Sequence, residues 1–360
     1  MYKKCRLSYF WAPFSLFLFG CSPTEKKLEL QEVSFEELSN FKNDSLKDVL
    51  PALQKSCAIF LKYPNKTYLK GQEKGSFKDW GPFCKCILNH NNLSSSELRS
   101  VIQKYLKPYK AYTNHGEDQG VFTGYFEPLL RGSFKQHGKF QTPLYRKPNG
   151  ALAYLSRAEI VAGALNNKGL EIVFVDDSID AFFFQIQGSG RVQLENGEIL
   201  RLAYDSGNKK PYTAIGKVLI DKGYLVRGKD TISMQTIVKW LKENKDKAED
   251  VMSTNESYVF FKEAKNFKDH EGPKGAHGVP LTCKRSIAID SSHISYGTPL
   301  WVDLFDENLK NIKHLMVAQD TGGAIKGPIR GDYFWGYGIS AKECAGVMNA
   351  RGAYYLLLPK

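Results

Sequence analysis

Beyond Tyr109 the chain breaks into short apolar runs divided by glycine and polar turn residues, a spacing that suits β-strands and not a helical bundle. Strands are predicted at Val121–Phe126, Glu171–Asp176, Ala181–Gln187, Val192–Glu195 and Ile199–Tyr204. A second group is predicted at Ser286–Asp290, Pro299–Leu304, Lys313–Asp320 and Ala353–Leu358. Helical spacing is confined to flanking pieces, at Asp48–Leu61, Ser94–Leu106, Tyr212–Lys222, Ser233–Ala248 and Ala341–Ala350, with one more helix opened by a capping box of Ser156 and Glu159. The expected class is mainly β with peripheral helices. At 360 residues and 42% apolar content the chain can fill two domains and is too apolar to be disordered.

The first residues read as an export signal. Lys3, Lys4 and Arg6 precede an apolar run of 11 residues, Tyr9 to Phe19, interrupted by Pro13 and followed by Gly20 and Cys21. A spanning helix needs about 20 apolar residues, so no permanent membrane span is expected here. Leu18, Phe19, Gly20 and Cys21 resemble a bacterial lipobox, with the bulky Phe19 as a departure, which implies cleavage before Cys21 and its acylation. Residues 1–20 are thus read as a lipoprotein signal peptide and 21–47, polar and charge-rich, as a lipidated tether. An ordinary cleaved signal or an uncleaved anchor would also leave the protein in the bacterial envelope. Ser22 is not the acidic residue associated with inner-membrane retention, so the expected site is the outer membrane, facing the periplasm.

Loss of residues 1–20 removes three basic side chains and no acid, lowering the formal charge from +12 to +9. A basic envelope protein suits a polyanionic partner such as the carboxylate-bearing wall. No zinc-finger, helix-turn-helix or aromatic RNA-binding signature is present, and nucleic acid is not an expected partner. Cys57, Cys84, Cys86, Cys283 and Cys344 form an odd set without repeated spacing, which allows up to two disulfides and selects no pairing. Cys84, Cys86 and His90 are close in sequence but lack a second ligand pair, and neither metal nor cofactor is expected. His270, His277 and Cys283 lack the spacing of a zinc peptidase, and Ser189 lacks the setting of a nucleophilic serine.

The chemistry concentrates in the last strand-rich segment. Leu315 to Asp320 runs apolar into an acid, and a loop with glycines at 322, 323, 327 and 331 then leads to Asp332. Such glycines let the backbone turn tightly and approach a ligand. Tyr333, Phe334, Trp335 and Tyr337 follow the second acid, and an apolar wall there would raise its pKa, as a proton-donating carboxyl requires. Local chemistry alone leaves this even with a second reading, in which Asp320 and Asp332 only brace the loop through backbone N–H bonds.

Several runs shift that balance. QDTGGAIKG and GDYFWGYG around the two acids, TGYFEP at 123–128, SRAEIVAGAL at 156–165 and FQIQGSGRVQL at 184–194 resemble the membrane-bound lytic murein transglycosylase A family. AIGKVLIDKG, SMQTIVKWL, NESYVFF and the stretch from GVPLTCKRSIAID through YGTPLW extend the likeness from Gly120 to the C-terminus. The resemblance implies a double-psi β-barrel formed by 48–128 and 266–360, with a smaller β domain, 129–265, inserted as the other wall of a glycan groove.

It also implies a catalytic acid at Asp332, a second acid at Asp320, and a supporting or structural acid at Asp290. Glu127 is not expected to be an obligatory partner. Thr123 is expected near the cleavage point, with Tyr125, Gln187, Ser189, Arg191 and Lys326 as further glycan contacts. The implied reaction cuts the β-1,4 bond between N-acetylmuramic acid and N-acetylglucosamine and closes a 1,6-anhydro ring, with Asp332 acting first as acid and then as base. The implied partners are peptidoglycan strands, the membrane through Cys21, and other cell-wall enzymes. A water-using hydrolase, which needs a second carboxylate roughly 5–10 Å away, and a catalytically silent wall-binding lipoprotein are the rival readings.

Overall fold

The computed structural model describes residues 26–68, 75–90, 92–226, 228–230 and 232–360, so the expected signal peptide and Cys21 lie outside the described residues. From Lys26 the stretch expected to be a tether is folded onto the rest of the chain. Strand β1 (Leu28–Glu32) joins a sheet, and Leu38, Phe41 and Leu46 are buried. The few apolar residues among many charges here are the ones that pack, Phe41 meeting Trp301 edge-on at 5.3 Å.

In helix α1 (Leu50–Lys62) Leu50, Leu53, Cys57 and Phe60 recur at three- or four-residue spacing and form one buried face, with Pro51 tolerated in the first turn. A short ribbon, β2 (Thr67–Tyr68) with β3 (Gly75–Ser76), leads to α2 (Gly81–Leu88), and a Cys57–Cys84 disulfide joins the two helices. That bond removes Cys84 from the metal-ligand set considered above. The Ser94 and Glu97 capping box starts α3 (Ser95–Tyr105), which runs directly into β4 (Leu106–Thr113) and then β5 (Gly120–Glu127).

The chain then builds a second sheet. Its strands are β6 (Leu129–Ser133), β7 (Thr142–Tyr145), β8 (Glu171–Val175), β9 (Gly190–Leu194), β10 (Ile199–Gly207) and β11 (Val259–Glu263), in the order β11-β10-β9-β6-β8-β7. Ser156 caps only a short α4 (Arg157–Glu159), which passes into a wider turn at 160–164 broken by Gly163 at φ 95°. The predicted strand at Ala181–Gln187 is instead helix α5 (Ser178–Gln187). Its stops decide the matter: Asp177 accepts from the N–H groups of Ile179 and Asp180, and Gly188 ends the helix in the left-handed region at φ 78°.

Helix α6 (Ile215–Asp221) follows, and the single helix expected at 233–248 is two, α7 (Met234–Glu243) and α8 (Lys245–Ser253), broken at Asn244. Phe182, Leu219, Leu241 and Val251 gather these helices into a small core of their own.

The last segment returns to the first sheet as β12 (Ser286–Ile289), β13 (Pro299–Asp306), β14 (Lys310–Asp320), β15 (Arg330–Tyr337), helix α9 (Ile339–Val347) and β16 (Asn349–Pro359). The order is β1-β4-β16-β13-β14-β12-β15-β5, and β16 also pairs with β5, so the strands from β16 round to β5 close into a ring. The pairings β12 with β14 and β15 with β5 are parallel, the others in the ring antiparallel. By register Phe122, Ile287, Leu300, Met316 and Leu356 share the face turned into the ring, while Trp301, Leu315 and Val317 lie on the opposite face, where Trp301 meets Phe41; all are fully buried.

Candidate active site

Strand register builds the site. Asp332 on β15 lies beside Thr123 of β5 and beside Ala288 of β12, and Ala288 is also the neighbour of Asp320 at the end of β14. Laterally paired residues project to the same face, so Asp320, Ala288, Asp332 and Thr123 form one row, the two aspartate Cα atoms lying two strand spacings or about 9–10 Å apart. Thr123 donates to Asp332 Oδ1 at 2.7 Å. Tyr125, on the same face two residues further along β5, donates from its hydroxyl to Asp320 Oδ2 at 3.0 Å. The other oxygen of Asp320 accepts the Ala276 N–H at 3.0 Å from the segment before β12. Gly275 makes that approach possible, because a Cβ there would overlap the Gln319 carbonyl.

Burial is the main force on both acids. It pushes Asp332 up to about 6, helped by the charge of Asp320 and opposed by the Thr123 hydrogen bond and the Arg330 guanidinium. Asp320 is raised for the same reason, against the N–H groups of Ala276 and Thr321 and the Tyr125 hydroxyl. Tyr125, half-buried and facing both carboxylates, is held well above the usual phenol range by its desolvation and their charge. Of the aromatic residues expected to wall Asp332, Phe334 shares its face by the two-residue period, and the Tyr125 ring packs on it at 5.1 Å. Tyr333 and Trp335 point to the other face, their rings 4.7 Å apart, and Tyr337 is largely exposed.

The remaining expected contacts fall in different places. Gln187, at the end of α5, accepts the Phe126 N–H at 3.2 Å and so links the two sheets beside the site. Ser189 is half-buried in the turn from α5 to β9. Lys326 is exposed on the glycine-rich loop, whose shape is braced by Asp290 accepting from Gly327 N–H at 2.8 Å and from Ser292. Burial acts to raise Asp290, but those bonds and Lys326 hold it below its ordinary value.

Arg191, expected as a glycan contact, is buried. Its Nε donates to Glu127 at 2.9 Å, its other nitrogens to the carbonyls of Asp269 and Glu271, and its plane lies 3.8 Å from the Tyr337 ring centre. Sequence reading missed Arg330 and the Ala276 N–H. Arg330 had a signal, since two residues upstream on a strand means the same face as Asp332, whereas a backbone donor from a distant loop leaves none.

Among the described residues no group of three or more His, Cys, Asp or Glu is placed to hold a metal ion. His277 packs between Phe60 and Tyr296, and its burial lowers it to about 4, while Cys283 donates to the Trp335 carbonyl.

Two family models match, the MltA specific insert domain over 121–262 and the 3D domain over 285–358. Membrane-bound lytic murein transglycosylase A of Escherichia coli (strain K12) is 38% identical over 252 residues, which are 68% of this chain and 66% of that protein. The chain's match thus spans just under two thirds of that relative's length. The crystal structure of a membrane-bound lytic murein transglycosylase from Agrobacterium tumefaciens aligns at 28% identity with a TM-score of 0.80, over 92% of this chain and 98% of that one. The Escherichia coli MltA structure with bound chitohexaose aligns at 27% identity and TM-score 0.71, over 93% and 94%.

The fold and site together define a mainly β protein, a double-psi β-barrel carrying two raised carboxyls on one row of its wall. The chain belongs to the membrane-bound lytic murein transglycosylase A family, whose Vibrio cholerae member is 30% identical over 323 residues, 86% of this chain and 83% of that protein.

Proposed function

We propose that this protein is a peptidoglycan lytic transglycosylase in which Asp332 is both acid and base. The observation that carries the reading is a carboxyl raised to about 6 by burial, in line with a second acid on the barrel wall. Such a group holds a proton to give and, having given it, is basic enough to take one back.

In the first step Asp332 protonates the oxygen bridging N-acetylmuramic acid to N-acetylglucosamine, and the muramoyl C1–O bond breaks. The muramoyl C6 hydroxyl then bonds to C1, and its proton passes to the Asp332 carboxylate, which regenerates the acid and leaves a 1,6-anhydro end. Water takes no part. The carboxylate of Asp320, when ionised, stabilises the positive charge that builds on the sugar ring. Tyr125 holds Asp320 in place, while Gln187, Ser189 and Lys326 are assigned to the glycan. The bound chitohexaose of the Escherichia coli relative supports a glycan substrate.

The division into a barrel of 48–128 and 266–360 and an insertion of 129–265, acylation at Cys21, and attachment to the outer membrane belong to the same reading; the relatives' name, membrane-bound, supports the envelope part of it.

The test is mass spectrometry of muropeptides released from purified sacculi by the chain lacking residues 1–21 and by its Asp332→Asn variant. Products 18 Da lighter than hydrolytic ones, lost in the variant while glycan still binds, are expected. Hydrated ends would identify a hydrolase, and binding without release a silent wall protein.

A further inference from the structure

We propose that Arg330 is a positioning residue for Asp332 and acts through the hydroxyl of Thr123; this rests on Asp332 being the acid and base. Arg330 Nη2 donates to Thr123 Oγ1 at 2.9 Å, and Thr123 Oγ1 lies 2.7 Å from Asp332 Oδ1. A guanidinium has donors and no acceptor, so the threonine oxygen must accept from it. The single hydroxyl hydrogen is then directed to Asp332. Without the arginine, a threonine beside a protonated aspartic acid can serve equally as acceptor, and the sense of the bond is lost. With it, Oδ1 is occupied by a donor and Oδ2 becomes the oxygen that exchanges the proton.

The arginine is itself fixed by the strands it serves. Its Nη1 donates to the carbonyl of Val121 on β5 at 3.2 Å and to that of Gly331 on β15. Arg330 and Asp332 share a face of β15, so the cation lies beside the carboxyl without a direct ion pair being needed. The charged and titratable groups that act on Asp332 are Arg330 on its own strand, Tyr125 on β5 and Asp320 on β14, while β12 presents Ala288. Burial and Asp320 both favour the protonated acid, so Arg330 and Thr123 supply the counterweight that lets the carboxylate form and act as base in the second step.

The experiment measures the pH profile of anhydromuropeptide release for the wild type and for the R330Q, R330K and T123V variants, with the Asp332 carboxyl titrated by 13C NMR in each. In R330Q and in T123V the alkaline limb, where Asp332 loses its proton, moves up by about one pH unit. R330K, which keeps a cation and a donor, stays near the wild-type limb. T123V in the R330Q background adds little, because both act on one bond.

A uniform loss of rate in R330Q with the limb unmoved would assign Arg330 a structural role alone and overturn the proposal. Full additivity of the two shifts would overturn the part played by Thr123. Should R330Q fail to fold, T123V removes only a hydroxyl and carries the test by itself, an unmoved limb refuting it. A wild type that releases no anhydro product would count against the transglycosylase reading, and the NMR titration would still decide whether Arg330 and Thr123 set the Asp332 proton affinity.

Discussion

Burial does two opposite things to Asp332: it creates the proton donor and it costs folding energy. An unfolded aspartate titrates near 3.9, and the folded group near about 6, so the folded chain binds the proton more tightly. Proton binding therefore favours the fold most fully below pH 4 and fades as the pH rises through about 6, above which a poorly solvated charge remains. The shift corresponds to about 1–3 kcal/mol. Asp332→Asn should accordingly stabilise the protein by about that much at pH 8 and hardly at all at pH 4, as read by calorimetric unfolding at the two pH values; no gain at pH 8 would mean the carboxyl is well solvated. At this scale the sequence was informative about chemistry and poor about environment. Asp320, Asp332 and Thr123 come together as the family resemblance implied. That Arg191 is buried against Glu127 was not legible, because a guanidinium suits a sugar and an ion pair equally in sequence.

Strands and loops meet at Glu127, at the end of β5. It accepts from Arg191 of β9 at 2.9 Å and from Arg201 of β10 at 3.4 Å, and both arginines also hold the backbone near Glu271. Lys55 of α1 grips the same segment through Glu271 at 3.2 Å and the Pro280 carbonyl at 3.1 Å. The loop so pinned is the one that brings Ala276 to Asp320. Glu127 is thus a joint between the two sheets, consistent with its not being an obligatory catalytic partner. Replacing it with alanine leaves the buried Arg191 and the half-buried Arg201 without their carboxylate, and should cost about 3–5 kcal/mol in urea unfolding; a loss within about 0.5 kcal/mol would show the arginines satisfied by carbonyls alone. None of this was visible in sequence, because residues 55, 127, 191, 201 and 271 are related only by topology. Element type was only partly accessible: eight of the nine predicted strands stand within a few residues of their places, but β1, β4, β6, β7, β11 and β15, the strand of Asp332, were not predicted. Helix α5 escaped because its Phe-rich run is too short for periodicity to separate helix from strand, although Asp177 and Gly188 at its ends were the readable signs.

For the molecule as a whole, β4 ties the first described residues to the last, pairing with β1 on one side and with β16 of the ring on the other. The apolar runs located every strand of the ring but β15, and nothing in them said that β16 would pair with β5, β4 and β13 together. The N-terminal stretch was the larger surprise, since its charges suggested a solvated leader. Asp44, inside that stretch, is buried, accepts two bonds from Arg285 at 2.8 and 2.9 Å, and accepts the Leu315 N–H at 2.9 Å. Burial works to raise this carboxyl, yet His314, Arg285 and Leu315 outweigh it and hold it down at about 2. Because the folded value lies below the unfolded one, the stabilisation is present above about pH 4 and is lost as the pH falls through about 2. Asp44→Asn leaves Arg285 buried without its counter-charge and should lower stability at pH 7 by about 3–5 kcal/mol. The gap between variant and wild type should narrow steadily below pH 4, where the unfolded wild-type aspartate binds a proton that the folded one does not take up until about pH 2. Urea unfolding at pH 7, 4 and 3 checks both halves. A gap that stays constant with pH would mean that Asp44 matters for its shape and hydrogen bonds, and that its charge does not fasten the N-terminal segment to the barrel.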